Sequence, residues 1–210
     1  MNLLVIDRST DTQSVAVAKD GKVFARVFAD MDSRSADWPV RIRDFLAANG
    51  LTVNDLDQVL VGQGPGSFAG IRAALAFAQG LELGNAGKRD TQVVGLPSTC
   101  ALTCAGARTA VIGDARRERF WVVLYDGSAC VKDFALVLKS ELAAAVPEGY
   151  VVVTPDGARI EPLLQSVFGA AYKGSLVPLA QHLAEVALAH PELPKPEPLP
   201  IYLQPAVRSA

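Results

Sequence analysis

Two stretches of this chain carry the same order of apolar runs, alternating runs and turns. Asn2-Leu3-Leu4-Val5-Ile6 is an apolar run that ends at Asp7. A turn over Arg8 to Asp11 leads into the alternating Ser14-Val15-Ala16-Val17-Ala18, and Asp20-Gly21 turns the chain into a third run, Lys22 to Phe28. From residue 109 the order recurs. Thr109-Ala110-Val111-Ile112-Gly113 ends at Asp114, the turn Ala115 to Glu118 leads into Phe120 to Tyr125, and Asp126-Gly127 turns into Ser128 to Ala135. Asp-Gly between apolar runs is a strong short-range hairpin signal. The strand-end aspartate precedes the Asp-Gly turn by thirteen residues in the first half and twelve in the second. Two readings fit: a chance likeness of two β-meanders, since such turns are common, or a duplicated three-stranded meander. The shared spacing favours duplication.

Helical patterns follow each meander. In the first half they are Trp38 to Asn49, Ser67 to Leu83 and Ser98 to Ala105, with a strand at Gln58 to Val61 and another at Gln92 to Leu96. In the second half they are Lys139 to Ala145, Arg159 to Phe168 and Leu179 to Ala189, with a strand at Tyr150 to Thr154. The expected fold class is α/β, with two lobes, residues 1–105 and a smaller 106–210, each a mixed sheet resembling a ribonuclease-H-like unit. Two such lobes make the actin, Hsp70 and sugar-kinase (ASKHA) architecture.

Between residues 60 and 83 an apolar strand breaks into a glycine-proline turn, Gly62-Gln63-Gly64-Pro65-Gly66-Ser67, which opens directly into a helix. Glycines there let backbone approach something closely. A Walker A loop is excluded, because no lysine occurs between Lys22 and Lys88. The dinucleotide pattern fits literally as Gly64-x-Gly66-x-x-Ala69, but the next strand ends in Leu96-Pro97, without an acid for a ribose. Pro65 also removes an amide that could have faced phosphate. The helix is rich in alanine, and after Ser67 its polar positions are Arg72, Gln79 and Glu82, on one narrow stripe. An apolar surface wider than the usual ~100° calls for cover on two sides. Sheet and neighbouring helices could supply both, or a sheet could cover one side and a second subunit the other.

The chain has 210 residues, half of them hydrophobic, with a net charge of −2. That balance gives no electrostatic reason to expect direct, tight nucleic-acid binding, which uses a clustered basic surface. Met1 to Ile6 is too short for a signal-peptide core and no apolar run reaches the ~18 residues of a membrane span. Three cysteines, Cys100, Cys104 and Cys130, argue against a disulfide framework. A cytoplasmic protein is expected. Cys100 and Cys104 read as buried thiols, and His182 and His190, eight apart, do not share a helix face. No metal site and no nucleophile–base pair is found.

In the two-lobed architecture, nucleotide phosphates sit against the first hairpin of each lobe, where a strand-end aspartate helps organise the metal. Asp7 and Asp114 are placed for this. Yet Asp7-Arg8-Ser9-Thr10 has no glycine to let backbone amides converge. Arg116-Arg117-Glu118-Arg119 is also glycine-free and charged, which a solvated turn would explain as well. Asp7, Ser9, Thr10, Asp114 and Arg116 are therefore candidate residues of degenerate nucleotide sites.

The landmarks together resemble the bacterial TsaB (YeaZ) family, which helps make threonylcarbamoyladenosine in tRNA. Members carry a first strand ending in Asp-x-Ser/Thr, as Ile6-Asp7-Arg8-Ser9-Thr10 does. Their Gly-Pro-Gly-Ser-Phe-Thr-Gly-Leu/Val-Arg junction corresponds to Gly64-Pro65-Gly66-Ser67-Phe68-Ala69-Gly70-Ile71-Arg72, closed by Gln79-Gly80-Leu81. Asp114-Ala115-Arg116 matches an element opening their second half, and Pro200-Ile201-Tyr202-Leu203-Gln204 their terminal segment. Departures are Ala69 for threonine, Gln204 for arginine, and no histidine-serine pair within Ser33 to Trp38.

The resemblance implies a non-catalytic scaffold related to the transferase TsaD but without its His-x-x-x-His metal helix. It would pair with TsaD, joined by the ATPase TsaE, and form a homodimer when alone. tRNA would be met only through the complex, no membrane is involved, and ATP or ADP with Mg would enter only with TsaD and TsaE. The pairing surface would lie in the first lobe, at Gly64, Pro65, Gly66, Ser67, Phe68, Gly70, Ile71, Arg72, Leu75, Ala76 and Gln79. A nucleotide-binding ATPase or transferase acting alone is the alternative. The proline-rich stretch Pro191 to Pro198 reads as an extended connector that delivers Tyr202 and Leu203 to a docking surface.

Overall fold

A computed structural model of the chain describes residues 1–28, 37–103, 106–191, 193 and 197–203. Cys104, Gln204, the Pro194-Lys195-Pro196 part of the connector and residues 33–36 lie outside the described residues. The chain forms two compact units, Met1–Ala101 with Pro178–Ile201, and Leu102–Val177 with Tyr202–Ala210.

In the first unit, β1 (Leu3–Asp7), β2 (Gln13–Lys19) and β3 (Lys22–Phe28) form the expected meander, followed by α1 (Trp38–Ala48), β4 (Gln58–Gly62), α2 (Phe68–Asn85) and β5 (Gln92–Leu96). The strand order is β3-β2-β1-β4-β5, antiparallel through the meander and parallel from β1 onward. The β2–β3 turn uses Asp20 and Gly21 at positive φ, as a two-residue hairpin requires.

The second unit contains β6 (Arg108–Asp114), β7 (Arg119–Asp126), β8 (Ala129–Leu138), the short α3 (Leu142–Ala145), β9 (Val151–Thr154), α4 (Gly157–Phe168) and β10 (Tyr172–Ser175). Its order, read from the meander edge, is β8-β7-β6-β9-β10, with the same directions as the first sheet. Identical order and direction in two five-stranded sheets identify the repeat as duplication of a ribonuclease-H-like lobe.

In the first sheet, successive side chains of β1 and β2 point to opposite faces and both faces are buried. Leu4, Ile6, Val15 and Val17 meet Ile42, Phe45 and Leu46 of α1 and Ile71, Ala74, Leu75 and Ala78 of α2. Each large aliphatic side chain buried there contributes roughly 2 kcal/mol. The alternate residues Leu3, Val5, Ala16 and Ala18 are equally buried and belong to the other face. Against β1, β2 and β3 lies α5 (Ala180–Ala189), burying Ala180, Leu183, Ala184 and Ala187.

The sequence groups this last helix with the second half, and the structure corrects that. The Ala180 amide donates to Ser14 Oγ of β2 across 2.9 Å, so a hydroxyl from the first meander caps the helix. Three smaller differences are local. Ser98–Leu102 is a 3-10 turn rather than an α-helix. Lys139–Glu141 is another 3-10 turn, leaving α3 four residues. Strand β10 was not expected, because Tyr172-Lys173-Gly174-Ser175 is short and contains a glycine at positive φ.

Candidate functional site

Strand β4 is paired on both sides by parallel neighbours, so its apolar run is buried throughout its second half. It delivers the turn 63–67 to the end of the sheet beside the β1–β2 loop. Ser67 caps α2, its Oγ accepting from the Gly70 amide at 3.2 Å, and its own amide donates to the Ser9 carbonyl at 2.7 Å. The Gly64 amide donates to Ser98 Oγ at 3.0 Å, and the Ser98 amide donates back to the Gly64 carbonyl at 2.9 Å.

The glycines reveal what this turn approaches. A Cβ on Gly66 would stand 2.0 Å from the Ser9 carbonyl oxygen, and one on Gly70 2.2 Å from that of Arg8. At Gly62 it would stand 1.9 Å from Asp7 Oδ2. These absent side chains make room for the first hairpin's own backbone and carboxylate.

Asp7 itself is 0% exposed. Its Oδ1 accepts from the Ser9 amide at 2.9 Å and from Ser9 Oγ at 2.7 Å, while Oδ2 has no partner of good geometry among the described residues. Burial pushes its pKa above the ordinary carboxylate value, and hydrogen bonding by Ser98 and Ser9 pulls in the opposite direction without overcoming it. Thr10 donates to the Thr12 carbonyl inside the same loop. Arg8, buried too, stacks its guanidinium 4.4 Å from the centroid of Trp38, which in turn packs 4.6 Å from Phe77 of α2. Burial lowers the Arg8 pKa. The residues of the first hairpin do not fit a magnesium–phosphate group as they stand. The carboxylate offers no outward oxygen, and two loop carbonyls face the glycines where amides would have to converge.

In the second unit, Asp114 is held by basic groups. Arg116 Nη1 lies 3.6 Å and Arg159 Nε 3.7 Å from its Oδ2, and the Arg116 amide donates to Oδ1 at 2.7 Å. The Asp114 amide donates to Asp156, which also pairs with Arg159. The turn itself places Arg116, Arg117 and Glu118 at positive φ.

Helix α2 separates the predicted pairing residues into two sets. Gly70, Ile71 and Leu75 are buried, Ile71 at 1% and Leu75 at 6% exposure, within the first unit's own core. They offer no outward surface. Phe68, Arg72, Ala76 and Gln79 are exposed, together with Ala69, Gly80, Leu83 and Gly84, at spacings of three and four that form one stripe. Arg72 lies 5.0 Å from the Phe68 ring centroid, and Leu83 is 76% exposed. Among the described residues, a Cβ on Gly80 or Gly84 would meet nothing within 4 Å. Leu83 and Gly84 were not singled out from sequence. The available signal was the four-residue repeat Ala76, Gly80, Gly84 inside an alanine-rich helix.

Of the remaining candidates, Cys100 is buried and Cys130 lies exposed on β8. Among the described residues, no three His, Cys, Asp or Glu side chains come together as a metal site, and no helix is long and apolar enough to cross a membrane.

The model of a family described as TsaD, tRNA N6-adenosine threonylcarbamoyltransferase, matches residues 35–150. The chain is similar to the tRNA threonylcarbamoyladenosine biosynthesis protein TsaB of Escherichia coli K12, 36% identical over 84 residues, 40% of this chain and 36% of that protein. The TsaB of Haemophilus influenzae is 38% identical over 85 residues, with the same shares of each chain. The match thus spans about a third of these curated relatives' length. Among solved structures, YeaZ from Pseudomonas aeruginosa superposes with a TM-score of 0.73 over 96% of this chain and 100% of that one, at 24% identity. That likeness extends the shared fold over both units.

Proposed function

The chain belongs to the family described as TsaD, tRNA N6-adenosine threonylcarbamoyltransferase, as one of the TsaB (YeaZ) proteins, and we propose that it is a non-catalytic scaffold in threonylcarbamoyladenosine synthesis on tRNA. It pairs through α2 with a TsaD-type transferase, with the ATPase TsaE joining them. Alone, it pairs through the same face with a second copy, an isologous contact. tRNA is reached through the transferase. Nucleotide with Mg enters only in the assembled complex.

One observation carries this reading: the outer stripe of α2 holds Gly80 and Gly84, whose missing side chains make room for no contact among the described residues. A glycine inside a helix costs about 1 kcal/mol relative to alanine. Close approach by another helix backbone gives that cost a purpose, with Phe68 and Leu83 supplying apolar area and Arg72 a charged contact. The buried Asp7 and the filled first hairpin support a role without chemistry of its own.

The test is reconstitution with purified TsaD-type transferase, TsaE, tRNA and the threonylcarbamoyl adenylate. Modified adenosine should depend on this chain, survive Asp7→Asn, and disappear with Ala76→Arg. Loss of turnover by Asp7→Asn in an intact complex would instead assign the chain a catalytic part.

A further inference from the structure

The hinge of α2 has a brace that comes from the far end of the chain. Gln63, the residue after β4, is buried. Its side chain lies over Gly95 of β5, where a Cβ would stand 2.4 Å from the Gln63 Cδ. Its amide nitrogen donates to the carbonyls of Glu197 at 2.8 Å and Leu199 at 2.7 Å. The Gln63 backbone carbonyl accepts from the Ile201 amide at 2.9 Å, and its backbone amide donates to Leu96 of β5 at 2.9 Å.

We infer that Gln63 is a positioning residue, a clip through which the strap 197–201 fixes the hinge of the docking helix. The inference rests on the reading of α2 as that helix. Both hydrogens of one planar amide are used, and they meet carbonyls on either side of Pro198, where the Leu199 amide donates to the Glu197 carbonyl at 2.7 Å in a tight turn. Pro198 and Pro200 flank Leu199 and carry no N–H of their own. With the Leu199 N–H used inside the strap, what the strap offers Gln63 is two acceptors and one donor, from Ile201. Ser9 and Ser98 hold the turn from the first hairpin and from the end of β5, and the strap holds it from a third direction. Gln63 precedes the Ser67 cap by four residues, so release of the strap frees the start of α2 while its buried middle stays packed.

The test uses the full chain with Gln63→Leu and Gln63→Glu, followed by amide hydrogen exchange and by affinity for the TsaD-type transferase. With Gln63→Leu, the Ile201 amide should exchange at least about tenfold faster, as expected for two lost hydrogen bonds. Affinity should fall by about the same factor, a fall of about 1.4 kcal/mol. The Leu75 amide should keep its protection, which reports an intact core. Gln63→Glu should release the strap at neutral pH, where a carboxylate would face two carbonyls. Protection of Ile201 should return below the carboxyl's pKa, where the neutral acid donates again, and this arm decides the matter if the leucine variant does not fold. Unchanged Ile201 protection would overturn the clip, and so would a released strap with unaltered affinity. Failure of the docking reading is separate: Ala76→Arg would then leave affinity untouched, while Ile201 exchange would still report on the clip.

Discussion

The amide of Ser67 donates to the carbonyl of Ser9 across 2.7 Å, tying the cap of α2 to the first hairpin. Through this bond the glycine-rich turn and the β1–β2 loop become one packed unit. The surface that α2 offers outward then depends on a junction packed closely against the carbonyls of Arg8 and Ser9.

Two pairs of glycines, one at this junction and one farther along α2, should respond oppositely to alanine. Gly66→Ala and Gly70→Ala push a methyl to about 2 Å from loop carbonyls and should lower stability by roughly 1–3 kcal/mol. Gly80→Ala and Gly84→Ala enter space that no described residue occupies and should each raise the stability of the monomer by about 1 kcal/mol. Urea unfolding measures both. The stabilised variants should bind the transferase more weakly, since their new methyls stand where its backbone would pack.

Asp7 should make stability fall as pH rises. Its pKa in the folded state lies above the ordinary 3.8, so between those two values the folded chain binds the extra proton and is favoured by acid. That contribution is complete below 3.8 and is lost as pH climbs through the raised folded value. Asp7→Asn keeps an oxygen for Ser9 and has nothing to ionise. Its stability profile above pH 4 should be flatter than that of the unaltered protein, and parallel profiles would contradict the assignment.

Ser14 should matter beyond its place in β2. Ser14→Ala leaves the buried Ala180 amide without its acceptor, at a cost of about 1–3 kcal/mol. Exchange at the α5 amides should accelerate more than at β7, in the other unit.

The meanders were legible because their signals are local: Asp20-Gly21 and Asp126-Gly127 mark the turns, and alternation marks the strands. What the glycines of the β4–α2 turn face is set by a loop more than fifty residues earlier, and residue type does not distinguish a phosphate from the Ser9 carbonyl. The width of the apolar surface on α2 announced two covered sides without saying which residues lay on each. Ile71 and Leu75 turned inward, and Ala76, Gly80 and Leu83 outward. The destination of α5 depends on how the chain returns after β10, a strand too short and glycine-broken to be read. Gln63 looked like one turn residue among several, because its partners come 134 and 136 residues later.

The central claim is that the exposed stripe of α2 docks a TsaD-type transferase. Its most direct measure is the dissociation constant of that pair, by titration calorimetry, for the unaltered chain and for Ala76→Arg. Ala76 is exposed, so the variant should keep the fold of the unaltered chain, as circular dichroism would show. The unaltered chain should form the complex, and Ala76→Arg should lose at least about a hundredfold in affinity, as for one buried hot spot of some 2–3 kcal/mol. Equal affinity of the two proteins would contradict it.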